Sequence, residues 1–291
     1  MTFANLVRQH WAALRALLVF TVLLGAGYPL LIWAVAQLPG LHDKAQGSIV
    51  RVDGKPVGSS LIGQLFTDAA GRPLPQYLQS RPSAAGDGYD PPASGAGNLG
   101  PESIVDDPDK PSLLTQVCSR SKAVGEREGV DGSRPFCTAG GVGAVLSVIG
   151  PRDARGNVVH PTRVVSVNEP CSSTAQTFLT SYDGVRVECA RSGEDYSFGQ
   201  LVPIRGAAPG SPRVPPDAVT ASGSGLDPDI SEAYADIQVA RIAHARHVSA
   251  DAVREVVRAN CRGRDLGFFG EPRVNVLAVN LQLDHKYPVI R

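Results

Sequence analysis

The chain has 291 residues, with 28 Lys and Arg against 28 Asp and Glu, so it has no net charge and no basic block that would argue for a nucleic-acid partner. Aromatic residues are only 6%, too few for a platform that stacks bases or sugars, while 31 glycines and 23 prolines describe a loop-rich body.

The first element is apolar. No Asp, Glu, Lys or Arg interrupts the 26 residues from Ala16 to Leu41. A helix rises about 1.5 Å per residue and a bilayer core is about 30 Å thick, so this run is long enough to cross. The pattern predicts a transmembrane helix over 16–38 after a short cytoplasmic N-terminus over 1–15. Arg8 and Arg15 precede the run, which by the positive-inside rule leaves the N-terminus in the cytoplasm and everything after residue 42 outside the cell. Gly25, Gly27 and Pro29 fall in mid-span, where small residues admit a neighbouring helix and proline frees a carbonyl, so they are candidates for helix packing. Ala34-Val35-Ala36 also has the form of a leader-peptide cleavage site, and the alternative is a secreted module released after Ala36.

Residues 42–101 open with a hairpin signal, Ile49-Val50-Arg51-Val52, Asp53-Gly54, Lys55-Pro56-Val57. Gly58-Ser59-Ser60-Leu61-Ile62-Gly63-Gln64-Leu65-Phe66 follows. From Asp68 to Pro101 the chain is crowded with turn residues, yet it carries specific boxes: Arg81-Pro82-Ser83-Ala84-Ala85, Tyr89-Asp90, and Ser94-Gly95-Ala96-Gly97-Asn98-Leu99-Gly100-Pro101. In such a folded loop Arg81 and Asn98 are suited to tying backbone carbonyls together, and Arg81 reads as a structural clamp.

These stretches resemble the KdpC family, a component of the Kdp-type potassium-transporting ATPase, which shows a GSxLIGQxF box, an RPSA box followed by YD or YN, and an SGGSNLGP box. Ala96 and Gly97 depart from the last one. From Glu102 to about Pro215 the resemblance lapses, and 102–215 reads as an insertion into a domain made of 42–101 and 216–291. The insertion holds Cys118, Cys137, Cys171 and Cys189 at spacings that do not suit zinc, and outside the membrane they read as disulfides. Four cysteines permit three connectivities; the shortest loops pair Cys118 with Cys137 and Cys171 with Cys189. The apolar runs Val142 to Ile149, Arg163 to Val167 and Gly184 to Cys189 predict a small β-rich module.

Beyond the insertion, Ser231 or Asp229 is placed to cap a helix over Glu232 to Arg246. A second helix follows Ser249, with Val253, Val256, Val257 and Cys261 on one apolar face, which predicts a buried thiol at Cys261. Leu277, Val279, Leu281 and Leu283 alternate, which predicts a half-buried strand over Asn275 to Asp284. The fold class is therefore α+β: one N-terminal transmembrane helix, then a mixed extracytoplasmic domain with a β-rich, disulfide-containing insertion.

VTASGSGLDPDIS at 219–231, QVARIAHAR at 238–246 and LGFFGEPRVNVLAVNLQLD at 266–284 renew the resemblance, and Gly27-Tyr28-Pro29-Leu30 extends it into the membrane run. The resemblance implies a non-catalytic subunit of an ATP-driven potassium uptake complex. Its partners would be a P-type catalytic subunit and a channel-like potassium-binding subunit. It also implies a catalytic chaperone that raises the ATP affinity of the catalytic subunit, with ATP as the shared cofactor and its contacts carried over to Ser222, Ser224, Gln238 and Arg241. The alternative is an extracytoplasmic cap over the potassium entrance that never touches nucleotide. The chain has no DKTGT motif and no G-x-x-x-x-G-K-[ST] loop, so it is not itself the pump. An anchored hydrolase is the remaining rival, but G-x-S-x-G does not occur and the close pair His244 and His247 has no evident third partner. No metal site is evident.

Overall fold

A computed structural model describes residues 3–95 and 102–289; Ala96, Gly97, Asn98 and the rest of that glycine-rich box lie outside the described residues. The chain divides into two compact units, Met1–Leu61 and Ile62–Arg291.

In the first unit a continuous helix, α1, runs over Phe3–Ala36 and is long and apolar enough to cross a membrane. It starts well before the charge-free run, so Arg8 and Arg15 are on its first turns. Between Thr21 and Gly27 it widens into π-helical turns. Pro29 has no N–H to give the carbonyl of Gly25, and glycine tolerates the altered backbone, which accounts for the change of register here. A hairpin follows, β1 (Ile49–Val52) against β2 (Lys55–Ser59), antiparallel with Val52 opposite Lys55. Its turn residues Asp53 and Gly54 have φ of 50° and 77°, the left-handed pair that a two-residue hairpin needs.

The second unit begins with a long irregular stretch and then α2 (Leu113–Glu128), which the sequence did not announce. Ser112 caps its start, accepting from the N–H of Thr115, and Gly129 ends it at φ 67°. The buried positions of α2 are Thr115, Cys118, Ser121, Val124, Gly125 and Glu128, mostly small or polar, so no apolar stripe betrays it. A five-stranded sheet then forms from β3 (Val145–Ile149), β4 (Arg163–Pro170), β5 (Ser181–Tyr182), β6 (Val185–Ala190) and β7 (Gln200–Pro203), in the order β5-β6-β4-β3-β7. Only the β4–β6 pair is parallel. Val145, Val165 and Val167 pack on one face and Leu146, Val148, Val164 and Val187 on the other, which is why the strands read as continuous apolar runs. Disulfides join Cys118 to Cys137 and Cys171 to Cys189. Residues 102–215, expected to be β-rich, thus hold a helix as well as the sheet.

The chain closes with β8 (Asp229–Ile230), α3 (Glu232–Arg246), α4 (Ala250–Ala259), β9 (Cys261–Arg262), β10 (Arg273–Asn275) and α5 (Val276–Lys286), the three strands ordered β8-β10-β9. Ser231 caps α3, accepting from the N–H of Tyr234, and is itself bonded to the carboxylate of Asp217. Two expectations are corrected here. The alternating stretch 275–284 is a helix and not a strand: Asn275 accepts from the N–H of Ala278 at its cap, and Val276, Val279, Asn280 and Leu283 make a buried face at helical spacing. Cys261 lies past the end of α4, on β9, half-buried, and its thiol meets Glu232 Oε1 at 2.6 Å. That carboxylate pushes the thiol pKa up to about 11. The main core gathers α3, α4 and α5 around Leu78, with Tyr234, Ile242, Val256 and Leu283 fully enclosed.

Candidate functional site

Backbone that is buried without a strand neighbour must find its partners elsewhere. Leu78 and Gln79, at the end of the stretch Pro75–Gln79, are such a case, and the helices around it supply the partners from side chains. Gln238, wholly buried on α3, accepts from the N–H of Gln79 at 2.8 Å and donates to its carbonyl at 3.2 Å. Asn280 on α5 does the same for Leu78, at 2.8 and 2.9 Å. Arg241 donates to the carbonyls of Pro75 and Tyr77, and Arg246 to the carbonyl of Gln76. Two amide side chains and two arginines thereby replace a β-ladder.

Arg241 is also tied to α2. Its Nε donates to Glu128 Oε2 at 2.9 Å, while Glu128 Oε1 accepts from Arg127 at 2.7 Å. The side chain of Glu128 is fully enclosed and that of Arg241 only 10% exposed. Burial pulls the Arg241 pKa down, which makes the adjacent carboxylate essential to keeping the charge in place.

A second constellation follows directly in the chain. Arg81 donates to Asp227 Oδ2 at 2.9 Å and to the carbonyl of Thr220 at 3.1 Å, a clamp on the 220–227 loop. Ser83 Oγ donates to the carbonyl of Gly225 and accepts from the N–H of Tyr89. The single Tyr89 O–H donates to the carbonyl of Arg81 at 3.0 Å, with the carbonyl of Asp227 at 3.3 Å as a weaker alternative acceptor, and Tyr89 itself has φ of 57°. Burial raises the Tyr89 pKa to about 12. Gly63 donates its N–H to the carbonyl of Leu226, and a Cβ there would collide with the Tyr89 ring. Gly225, at φ 75°, has no room for a side chain against Ala85. Three of the boxes singled out in the sequence, around Gly63, Arg81 and Ser222, therefore fold into one knot.

The four residues carried over for ATP fall into two pairs. Ser222 and Ser224 sit in the knot with hydroxyls 3.2 Å apart; Ser222 is buried and accepts from the N–H of Gly225, while Ser224 is exposed and donates to Asp227. Gln238 and Arg241 belong to the clamp and bond each other at 2.8 Å. The two pairs share no hydrogen bond among the described residues. Gln238 is enclosed with both amide atoms engaged, and the Arg241 donors already meet four acceptors. Gly25, Gly27 and Pro29 lie on α1, outward-facing, Gly25 and Gly27 within the π-helical turns. His244 and His247 are exposed at the end of α3, and no group of three metal-ligating side chains is present among the described residues.

Sequence reasoning passed over Gln79, Asn280 and Glu128. The one signal for them was a polar residue recurring on an otherwise apolar face: Asn280 among Val276, Val279 and Leu283. It is visible only once that stretch is read as a helix.

Comparison with known proteins gives a consistent result. The family described as K+-transporting ATPase, c chain (KdpC) matches residues 10–137 and 200–285. The chain is 37% identical over 288 residues to the potassium-transporting ATPase KdpC subunit of Kineococcus radiotolerans, covering 99% of both chains. It is 34% identical over 279 residues to that of Beijerinckia indica, covering 96% of this chain and 94% of the relative. With the Streptomyces avermitilis subunit it shares 35% identity over 286 residues, again 96% and 94% of the two chains.

Proposed function

The chain belongs to the KdpC family, the c chain of K+-transporting ATPase, and on that premise we propose that it is the non-catalytic subunit of an ATP-driven potassium uptake complex, working beside a P-type catalytic subunit and a channel-like potassium-binding subunit. The likeness along nearly the whole chain carries this reading. In it, α1 is a single membrane pass with the N-terminus in the cytoplasm, supported by Arg8 and Arg15 on its first turns. The remainder is extracytoplasmic, which is the setting in which two disulfides persist. The packing contacts of α1 with the partners fall at Gly25, Gly27 and Pro29, where the backbone is most open. On this reading the insertion is the segment 138–199 between the two family-matched stretches, built into the second unit.

Any rise in the ATP affinity of the catalytic subunit then comes through assembly and not through nucleotide contacts at Ser222, Ser224, Gln238 and Arg241. The observation favouring this is that Gln238 and Arg241 are consumed by the clamp. The cap reading, with this domain over the potassium entrance, follows from the same topology. A mild-detergent purification of the tagged full-length chain tests the proposal. Co-purification of a P-type ATPase and a multi-spanning subunit, with an uncut mass, supports it; a chain that emerges alone and lacks its first 36 residues sinks it. The topology has its own test: a cysteine placed at the exposed Ser224 must react with a membrane-impermeant reagent in intact cells.

A further inference from the structure

The turn between β9 and β10 is unlike the rest of the second unit. Leu266, Phe268 and Phe269 are 83%, 65% and 57% exposed, three large apolar side chains within four residues. The turn is nonetheless ordered by its own bonds. Asp265 and Phe269 exchange both backbone hydrogen bonds at 2.9 Å, Arg264 pairs with Glu271 at 2.7 Å, and Arg273 pairs with Asp265 at 3.1 Å. Leu266 has φ of 54°, a left-handed conformation that costs a branched side chain free energy. The same turn would form more readily with glycine there, so burial within this chain does not explain the leucine, and exposure makes it unfavourable as well. The Phe268 and Phe269 rings lie 4.2 Å apart, and with Leu266 exposed on the same short turn they form an apolar knob.

We infer that this knob, Leu266 with Phe268 and Phe269, is the anchor by which the chain docks onto another protein subunit of its complex, in an apolar socket with a polar rim of both charge signs. The inference rests on the subunit reading above. The rim decides between occupants. Two ion pairs, Arg264 with Glu271 and Arg273 with Asp265, flank the knob in sequence, and their two carboxylates, exposed to 78% and 69%, would face the phosphates of an anionic bilayer unfavourably. A protein interface, with an aromatic centre and a mixed polar rim, matches the arrangement. Because the turn is already fixed by its bonds, docking loses little further conformational freedom.

The test uses the full-length chain in cells that make the whole complex. A photo-crosslinking residue at Phe268 is expected to join this chain to a partner subunit; adducts with lipid alone, or with a second copy of this chain, overturn the inference. Two variants give the second readout. Phe268→Ser with Phe269→Ser removes the aromatic pair, and Leu266→Gly removes the leucine while relieving a left-handed backbone position, so it is expected to keep the fold. Each is expected to melt no lower than the parent yet to retain at least about tenfold less partner through a wash. Full retention by both variants overturns the knob alone, whereas a parent chain that recovers no partner overturns the subunit reading and this inference with it.

Discussion

The stretch Pro75–Tyr89, which dips into the interior at Leu78, Gln79, Ala85 and Tyr89, and the sheet β3–β6 both have interior backbone to satisfy, and they do so in opposite ways. In the first, the partners of the main chain are named side chains: Gln238, Asn280, Arg241, Arg246, Ser83 and Tyr89. In the second the main chain serves itself, Ser147 facing Val165 across one ladder and Val165 facing Glu188 across the next. A ladder accepts any residue of suitable bulk, whereas an amide clamp accepts one residue type in one rotamer. It is consistent that the chain between the two family-matched stretches, 138–199, is the part that holds β3 to β6. Motifs accumulate where side chains do the work of backbone.

The comparison can be broken most sharply at Glu128. Glu128→Leu leaves the Arg241 guanidinium nearly buried with no counter-charge, and we expect a loss of about 4 kcal/mol in denaturant unfolding of the full-length chain in micelles. The double variant Glu128→Leu with Arg241→Met should recover much of that loss. If the single change costs less than about 1 kcal/mol, the clamp is not held by this pair. Gln238→Leu is the next test. It keeps the volume but leaves the N–H and carbonyl of Gln79 buried and unpaired, a loss of about 3 kcal/mol by the same assay.

The sheet should be more forgiving. Replacing Cys171 and Cys189 together by alanine removes a cross-link that closes a separation of 18 residues, worth about 2 kcal/mol. The ladders remain, so hydrogen exchange of Val164 and Val165 should stay slow in the variant. A larger loss than that of Gln238→Leu, or collapse of this protection, would show that the sheet depends on its staple and would undo the contrast.

How much of this was legible beforehand follows the same division. The hairpin at Asp53-Gly54, the helix starts at Ser231 and after Ser249 and the apolar strands could be read because local backbone preference and solvent face agree there. α2 was missed because its packed face is Thr115, Cys118, Ser121 and Gly125, residues chosen for close approach and not for hydrophobicity. α5 reads as a strand because its buried Leu277, Val279 and Leu283, with the half-buried Leu281, happen to alternate. Arg81 could be read as a clamp from its place among turn residues. Its acceptors could not, since Thr220 and Asp227 are more than a hundred residues away. Long-range pairing of this kind leaves no periodicity to detect.

The smallest expected effect lies in the knot, at Tyr89. The phenol is held neutral, its pKa raised from 10.0 to about 12, with burial the main cause. A group whose folded pKa is raised contributes stability that is complete below its unfolded value and is lost as pH climbs through the folded value, so the window is pH 10 to about 12. Tyr89→Phe removes the hydroxyl's bond to the carbonyl of Arg81 or, alternatively, of Asp227 and should cost about 1 kcal/mol near neutral pH. Other tyrosines ionise in the same range, so the informative quantity is the difference between parent and variant, which cancels their contribution. That difference should narrow across the window, because only the parent has to keep a phenol at this site from ionising. A difference that stays constant through pH 12 would mean that Tyr89 ionises as it does in the unfolded chain, and the knot would then be a set of backbone turns with no buried hydroxyl at its centre.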